Sequence, residues 1–198
     1  MRAKNRNLAA ALALVGVFAA ALLRPPAIFG GLLVYGEGFA FTVAEPVKWK
    51  GDIQSAARWG ANIIFYPQEE SPSAPGTIVI RIGVFDKTEE DTSKDLDADM
   101  NQYRSKYPKV AFKDIDGIKA HYKAWPRLFY LPKTFYEYVT YLNPGPEHRQ
   151  LISISMNKTG TPATADELRA YQVVIQSFVL VSANGFKVYD AYKGQVRN

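Results

Sequence analysis

The chain has 198 residues, 47% of them hydrophobic, 13% aromatic and 22% charged, with 24 Lys and Arg against 19 Asp and Glu, two His and no Cys. That length and apolar content fit one domain with a sizeable core, and they argue against disorder, because a chain this hydrophobic can offset its ordering entropy. The missing cysteines exclude disulfide frameworks, zinc-thiolate sites and a cysteine nucleophile.

The formal charge of +5 sits at one end: Arg2, Lys4, Arg6 and Arg24 are the only charges before Glu37, leaving 20 basic residues against all 19 acidic ones in the rest of the chain. Nucleic-acid binding draws on many phosphate contacts from clustered Lys and Arg, and a nearly neutral body with interspersed signs offers no such stripe. No nucleic-acid partner is expected.

Residues 1–7 are basic and polar, and residues 8–23 are an unbroken run of Ala, Leu, Val, Phe and one Gly, closed by Arg24-Pro25-Pro26. A basic start before 16 apolar residues with no polar face reads as an export signal rather than a core helix. The run is long for a signal h-region and just short of the about 18–20 residues that a spanning helix prefers, so a cleaved signal and a retained anchor are both open. Ala19 and Ala21 form an A-x-A cleavage site, with Ala27 and Gly31 as later alternatives. Without a following Cys there is no lipoprotein anchor, and without an Arg pair no twin-arginine signal. The expected organisation is a signal peptide or membrane anchor over 1–27, a domain over 28–182 and a polar tail over 183–198, located outside the cytoplasm, in the periplasm or secreted.

In the domain, Gly38 leads into the alternating strand 39–43, which Pro46 ends. Residues 49–61 read as a polar connection, 62–66 as a strand, 68–76 as a turn-rich loop and 77–85 as the most apolar strand. A helix follows, with Thr92 and Asp95 approximating a capping box and Leu96, Met100, Tyr103 and Tyr107 at helical spacing up to Pro108. Strands are then expected over 110–114, 118–125, 135–142 and 150–157, separated by turn residues and therefore largely antiparallel. A second helix starts at Thr164 with Glu167 as a capping box and carries Leu168, Tyr171, Ile175 and Phe178 on one face. This order predicts one α+β domain, an antiparallel sheet covered by helices.

Gly38-Phe39-x-Phe41, then Pro46-x-x-Trp49, then strands on both sides of the first helix and a closing helix over 168–178 together resemble the PsbP-like and Mog1-like domain family. Lys48 stands where that family usually has Gly before the Trp. The resemblance covers roughly residues 35–181 by element order and implies an α/β/α sandwich serving as an exported accessory or interaction domain, without catalytic machinery. It carries over fold and class only, and no ligand residue.

Acid–base chemistry at neutral pH most often uses His, and only His121 and His148 are present. His121 alternates with Lys119 and Lys123 on a solvated strand face, and His148 lies in the turn-rich segment 143–149, so neither marks a site. There is no G-x-S-x-G elbow, H-E-x-x-H pair or Walker loop, and Gly36-x-Gly38 lacks a third Gly and precedes a strand. Asp95, Asp97 and Asp99 imitate a calcium loop, but Met100 replaces its turn Gly and Lys106 its bidentate Glu; as acids near a helix start they favour the dipole instead.

Aromatic residues cluster at Phe129, Tyr130, Phe135, Tyr136, Tyr138 and Tyr141, and alternation places them on both faces of one strand. Cross-strand core packing is the ordinary reading, and Tyr130, Tyr136 and Tyr138 are the candidate interaction surface. The sequence therefore predicts a non-enzymatic exported interaction or accessory domain with no catalytic, cofactor or metal residues, whose partner is a protein of the cell envelope. Two alternatives stand beside it: a periplasmic binder of a small ligand or glycan, and a membrane-tethered subunit that touches the membrane only through a retained N-terminal segment.

Overall fold

Runs of β-branched and aromatic residues at two-residue spacing dominate the chain, and the computed structural model, which describes residues 31–36, 38–88 and 92–181, turns nearly all of them into antiparallel strands. The expected leader over 1–27 and tail over 183–198 lie outside the described residues. In chain order the strands are β1 (Gly31–Gly36), β2 (Phe39–Ala44), β3 (Trp49–Asp52), β4 (Ile63–Pro67), β5 (Val79–Asp86), β6 (Ala111–Asp114), β7 (Lys123–Leu131), β8 (Phe135–Asn143), β9 (Gln150–Thr159) and β10 (Val179–Leu180). Helix α1 (Ser93–Lys106) follows β5 and helix α2 (Ala165–Ser177) follows β9. The strands form a three-stranded sheet, β1-β2-β10, and a seven-stranded sheet, β3-β4-β5-β9-β8-β7-β6.

The helix-covered α/β/α sandwich expected from the sequence is corrected by this arrangement, which is a β-rich fold of ten strands in two sheets with two short helices among the described residues. Three strands were missed: β1 in the Gly-bearing lead-in, the short β3 within the supposed polar connection, and the two-residue β10. They change the architecture because the three-stranded sheet shares one face of the large sheet with α2. Val34, Phe41 and Val43 of the small sheet, Ile63, Phe65, Ile80, Ile82, Ile152 and Ile154 of the large one, and Tyr171, Val174, Ile175 and Phe178 at the helical layer form one buried cluster. Each fully buried aliphatic or Phe side chain contributes about 1.5–3 kcal/mol, so this contact dominates the stability. Gly51 of β3 permits the close approach, because a Cβ there would collide with Leu32 of β1.

The opposite face is covered in patches. Helix α1 lies over β7 and β8, packing Leu96, Met100, Tyr103 and Tyr107 on Phe129, Phe135, Val139 and Tyr141. A one-turn 3₁₀ segment, Ala56–Trp59, covers Ile64, Tyr66 and Val79 on β4 and β5. Between these two caps the centre of the sheet is left uncovered by apolar groups.

Other local expectations also needed correcting. The strand expected over 118–125 begins only at Lys123 and runs on through Pro126 to Leu131. Pro126 is accommodated because its carbonyl accepts from Ile115 N–H at 3.0 Å, so its missing donor points toward β6, which has already ended at Asp114. The Thr92–Asp95 capping box does not form: Thr92 makes no side-chain cap, and Asp95 instead accepts from the Thr88 hydroxyl at 2.5 Å. The Thr164–Glu167 box forms in both directions, and Lys158 reinforces it with Nζ at 2.5 and 2.6 Å from the two Glu167 oxygens. Although burial raises the Glu167 pKa, the Lys158 ammonium and the Thr164 bonds hold it below its ordinary value. Lys48, at the position where Gly was noted as usual, has φ +66° in a turn closed by Trp49 N–H to Pro46 O at 2.9 Å. That backbone conformation favours Gly.

Candidate functional site

Strand alternation builds a polar floor at the uncovered centre of the large sheet. Along β9, Ile152, Ile154 and Met156 enter the main core while Ser153, Ser155 and Asn157 point to the α1 side. On β5, Arg81 and Gly83 sit opposite Ser155 and Ser153 on that same face. Gly83 has open space above it, since a Cβ there meets nothing within 4 Å. On β8 the same parity puts Glu137 beside Asn157.

Helix α1 forms the wall, and its residues at three- and four-residue spacing line a groove along its length. The end nearer the start of α1 is a cavity of about 390 Å³ lined by Asp95, Ala98, Asp99, Gln102 and Tyr103 from the helix, Ser153 and Ser155 from the floor, and Phe85, Val139 and Tyr141 as apolar contacts. The adjoining end, about 530 Å³, is lined by Lys106 and Tyr107 from the helix and by Arg81, Asn157, Thr134 and Thr159 from the sheet and turn. Asp99, Gln102, Tyr103 and Glu137 border both. Each volume lies in the range of about 300–1,000 Å³ typical of small-molecule sites.

The electrostatics divide these groups into paired and unpaired. Glu137 takes Arg81 Nη2 at 2.6 Å on one oxygen and the Asn157 amide at 3.4 Å on the other, with Arg81 and Glu137 side chains 28% and 12% exposed. Asp99, by contrast, makes no hydrogen bond or salt bridge among the described residues. Burial, together with the Glu137 charge and against the pull of Arg127, pushes its carboxyl from 3.8 up to about 6. Tyr103 stacks on Phe129 at 4.1 Å, and burial, with Glu137 beside it, raises its hydroxyl pKa. Arg127 lies under α1 with Nε 3.6 Å from Asp114 and a buried Nη1 that has no partner among the described residues. The side chains of Gln102, Ser153 and Ser155 also make no hydrogen bond among the described residues, although they share one cleft with Asp99.

The residues singled out from sequence fall elsewhere. Tyr138 is buried at 5% exposure on the opposite face, edge-on to Tyr171, and its oxygen accepts from Ala163 N–H at 3.0 Å. Tyr130 and Tyr136 stack at 6.1 Å on that same side and are half-buried against the main core. His121 is exposed and precedes β7 rather than sharing a strand face with Lys119 and Lys123. His148 lies 3.5 Å from Glu147, and its carbonyl accepts from Lys87 Nζ at 2.8 Å. Of the three aspartates, Asp95 and Asp99 line the groove while Asp97 is exposed, so they do not converge on one point. No group of three or more His, Asp or Glu among the described residues is placed to hold a metal ion. The groove itself was missed, and its signal is the alternation of Ser153 and Ser155 with Ile152, Ile154 and Met156 in a strand too apolar on one face to be an edge.

No family model matches this chain, and no curated protein matches it. The resemblance to PsbP-like and Mog1-like domains therefore has no family match behind it. Among solved structures the chain is similar to the crystal structure of LpqN, involved in cell envelope biogenesis of Mycobacterium tuberculosis, with 13% identity and a TM-score of 0.46 over 77% of this chain and 91% of that one.

Proposed function

We propose that this chain is an exported, non-enzymatic binding domain that serves as an accessory protein of the cell envelope and takes a small polar ligand in the groove beneath α1. The observation that carries the reading is the set of four polar side chains, Asp99, Gln102, Ser153 and Ser155, that border one ligand-sized cleft and have no hydrogen-bond partner among the described residues. Half-buried or exposed, these groups leave donors and acceptors open to an incoming ligand, and a few convergent polar groups beside apolar walls are the usual composition of a binding site. The leader over residues 1–27 supports export, as a cleaved signal or as a tether that would hold the domain at the membrane. A protein partner in the envelope fits the same reading as the receiver of the ligated domain.

Gly83→Phe is the test, because the open space above Gly83 lets a ring fill the groove without displacing a neighbour. Thermal-shift screening of periplasmic metabolites and cell-wall fragments should give compounds that raise the melting temperature of the parent chain and leave the folded Gly83→Phe variant unmoved. Shifts that persist in the variant, or no shift by any compound, would refute the groove as the site. A turnover abolished by a single side-chain change would refute the non-enzymatic half of the proposal.

A further inference from the structure

The two ends of the groove differ in charge. Asp95, Asp99 and Glu137 line the first cavity with no Lys or Arg among its lining residues, whereas in the second Arg81 and Lys106 stand against Asp99 and Glu137. Most of these charges are already answered within the protein. Glu137 is held by Arg81 at 2.6 Å, and Asp95 by the Thr88 hydroxyl at 2.5 Å. The groove carboxylate with neither a hydrogen bond nor an ion pair among the described residues is Asp99. The matching cation is Lys106, which has no carboxylate partner among the described residues and rests over the Tyr107 ring with Nζ 5.3 Å from its centre.

Asp99 and Lys106 are seven positions apart on one helix, two turns on the same face, and both border the groove. At 1.5 Å per residue that separation is about 10 Å along the axis. An extended peptide covers about 3.3–3.6 Å per residue, so about three residues span it. Between the two charges the groove offers groups suited to a peptide backbone: the Gln102 and Asn157 carboxamides can each both donate and accept. Tyr107 and Phe135, with ring centres 4.7 Å apart, supply an apolar contact for a side chain.

Resting on the reading of the groove as a small-ligand site, we propose that its ligand is a short zwitterionic peptide lying along α1, with its free ammonium at Asp99 and its free carboxylate at Lys106. An anionic ligand would face Asp95, Asp99 and Glu137 together, and a purely cationic one would leave Lys106 unanswered. The elevated Asp99 pKa has the same sense, since a carboxylate that lacks a counter-charge gains most from an arriving ammonium.

Titration calorimetry at pH 7.5 with L-Ala-L-Ala-L-Ala, its N-acetyl form and its C-terminal amide tests this directly. Trialanine should bind, and capping either end should weaken binding by about three- to tenfold, the range of a partly solvated charge pair. The sensitivity should be specific: N-acetylation should no longer matter in Asp99→Asn, and amidation should no longer matter in Lys106→Met. No binding of trialanine, or capped and free peptides binding alike, overturns the peptide proposal. If another compound meanwhile shifts the parent chain and not Gly83→Phe, the groove reading stands and the peptide assignment alone falls. If no compound does, both fall.

Discussion

Replacing Asp99 by Asn should make the unliganded protein more stable at neutral pH. The substitution keeps the shape of the side chain and removes a charge that burial and Glu137 both oppose. The carboxyl is raised from 3.8 to about 6 in the fold, about two pH units, and at about 1.4 kcal/mol per unit the full effect would be near 3 kcal/mol. Asp99 is partly solvated, and screening reduces this to about 1–2 kcal/mol. For a chain of this size that corresponds to a rise in melting temperature of about 2–8 °C. Because the folded-state pKa lies above the unfolded one, the folded protein binds a proton between about pH 4 and 6 that the unfolded chain does not. The penalty is therefore complete above pH 6, shrinks as pH falls through that window, and is gone below about pH 4. Urea unfolding of both proteins at pH 7.5, 5 and 4 should show the difference at the first pH, part of it at the second and little at the third. A variant less stable than the parent at pH 7.5, or a difference independent of pH, would refute the reasoning. A gain in stability coupled to loss of ligand is the pattern expected where a site retains an unfavourable charge for function.

Tyr171→Phe should lower stability by about 1–3 kcal/mol in urea unfolding at unchanged slope, since the buried hydroxyl bonds Thr140 Oγ1 at 2.9 Å and Ile154 O at 2.8 Å and its loss leaves the buried Thr140 hydroxyl without that partner. An effect near zero would mean that those groups find other partners. Lys48→Gly should raise the unfolding midpoint, the gain being about 0.5–1 kcal/mol: release of a left-handed backbone worth about 1–2 kcal/mol exceeds the entropy a Gly adds to the unfolded chain. A lower midpoint would show that the Lys48 side chain contributes more than its backbone strain.

Elements whose signals are local were legible in the chain alone. Leu96, Met100, Tyr103 and Tyr107 at helical spacing, and Thr164 with Glu167, marked the two helices, since periodicity and capping depend only on neighbours three and four residues away. Alternation of Phe135 to Leu142 likewise placed aromatic rings on both faces of β8. What surrounds those faces depends on residues distant in the chain. The strands β1, β3 and β10 carry weak local signals and exist because pairing and a shared core hold them, which turned an expected helical layer into a second sheet. The candidate site followed the same rule. Ser153 and Ser155 on β9, Glu137 on β8, Arg81 on β5 and Asp99 on α1 are far apart in the chain, and each has an ordinary local explanation. Only the strand order β5-β9-β8, with α1 laid over one side and the 3₁₀ turn over the other, brings them to the same uncovered strip, because strand register and helix placement are set by burying the apolar faces around it.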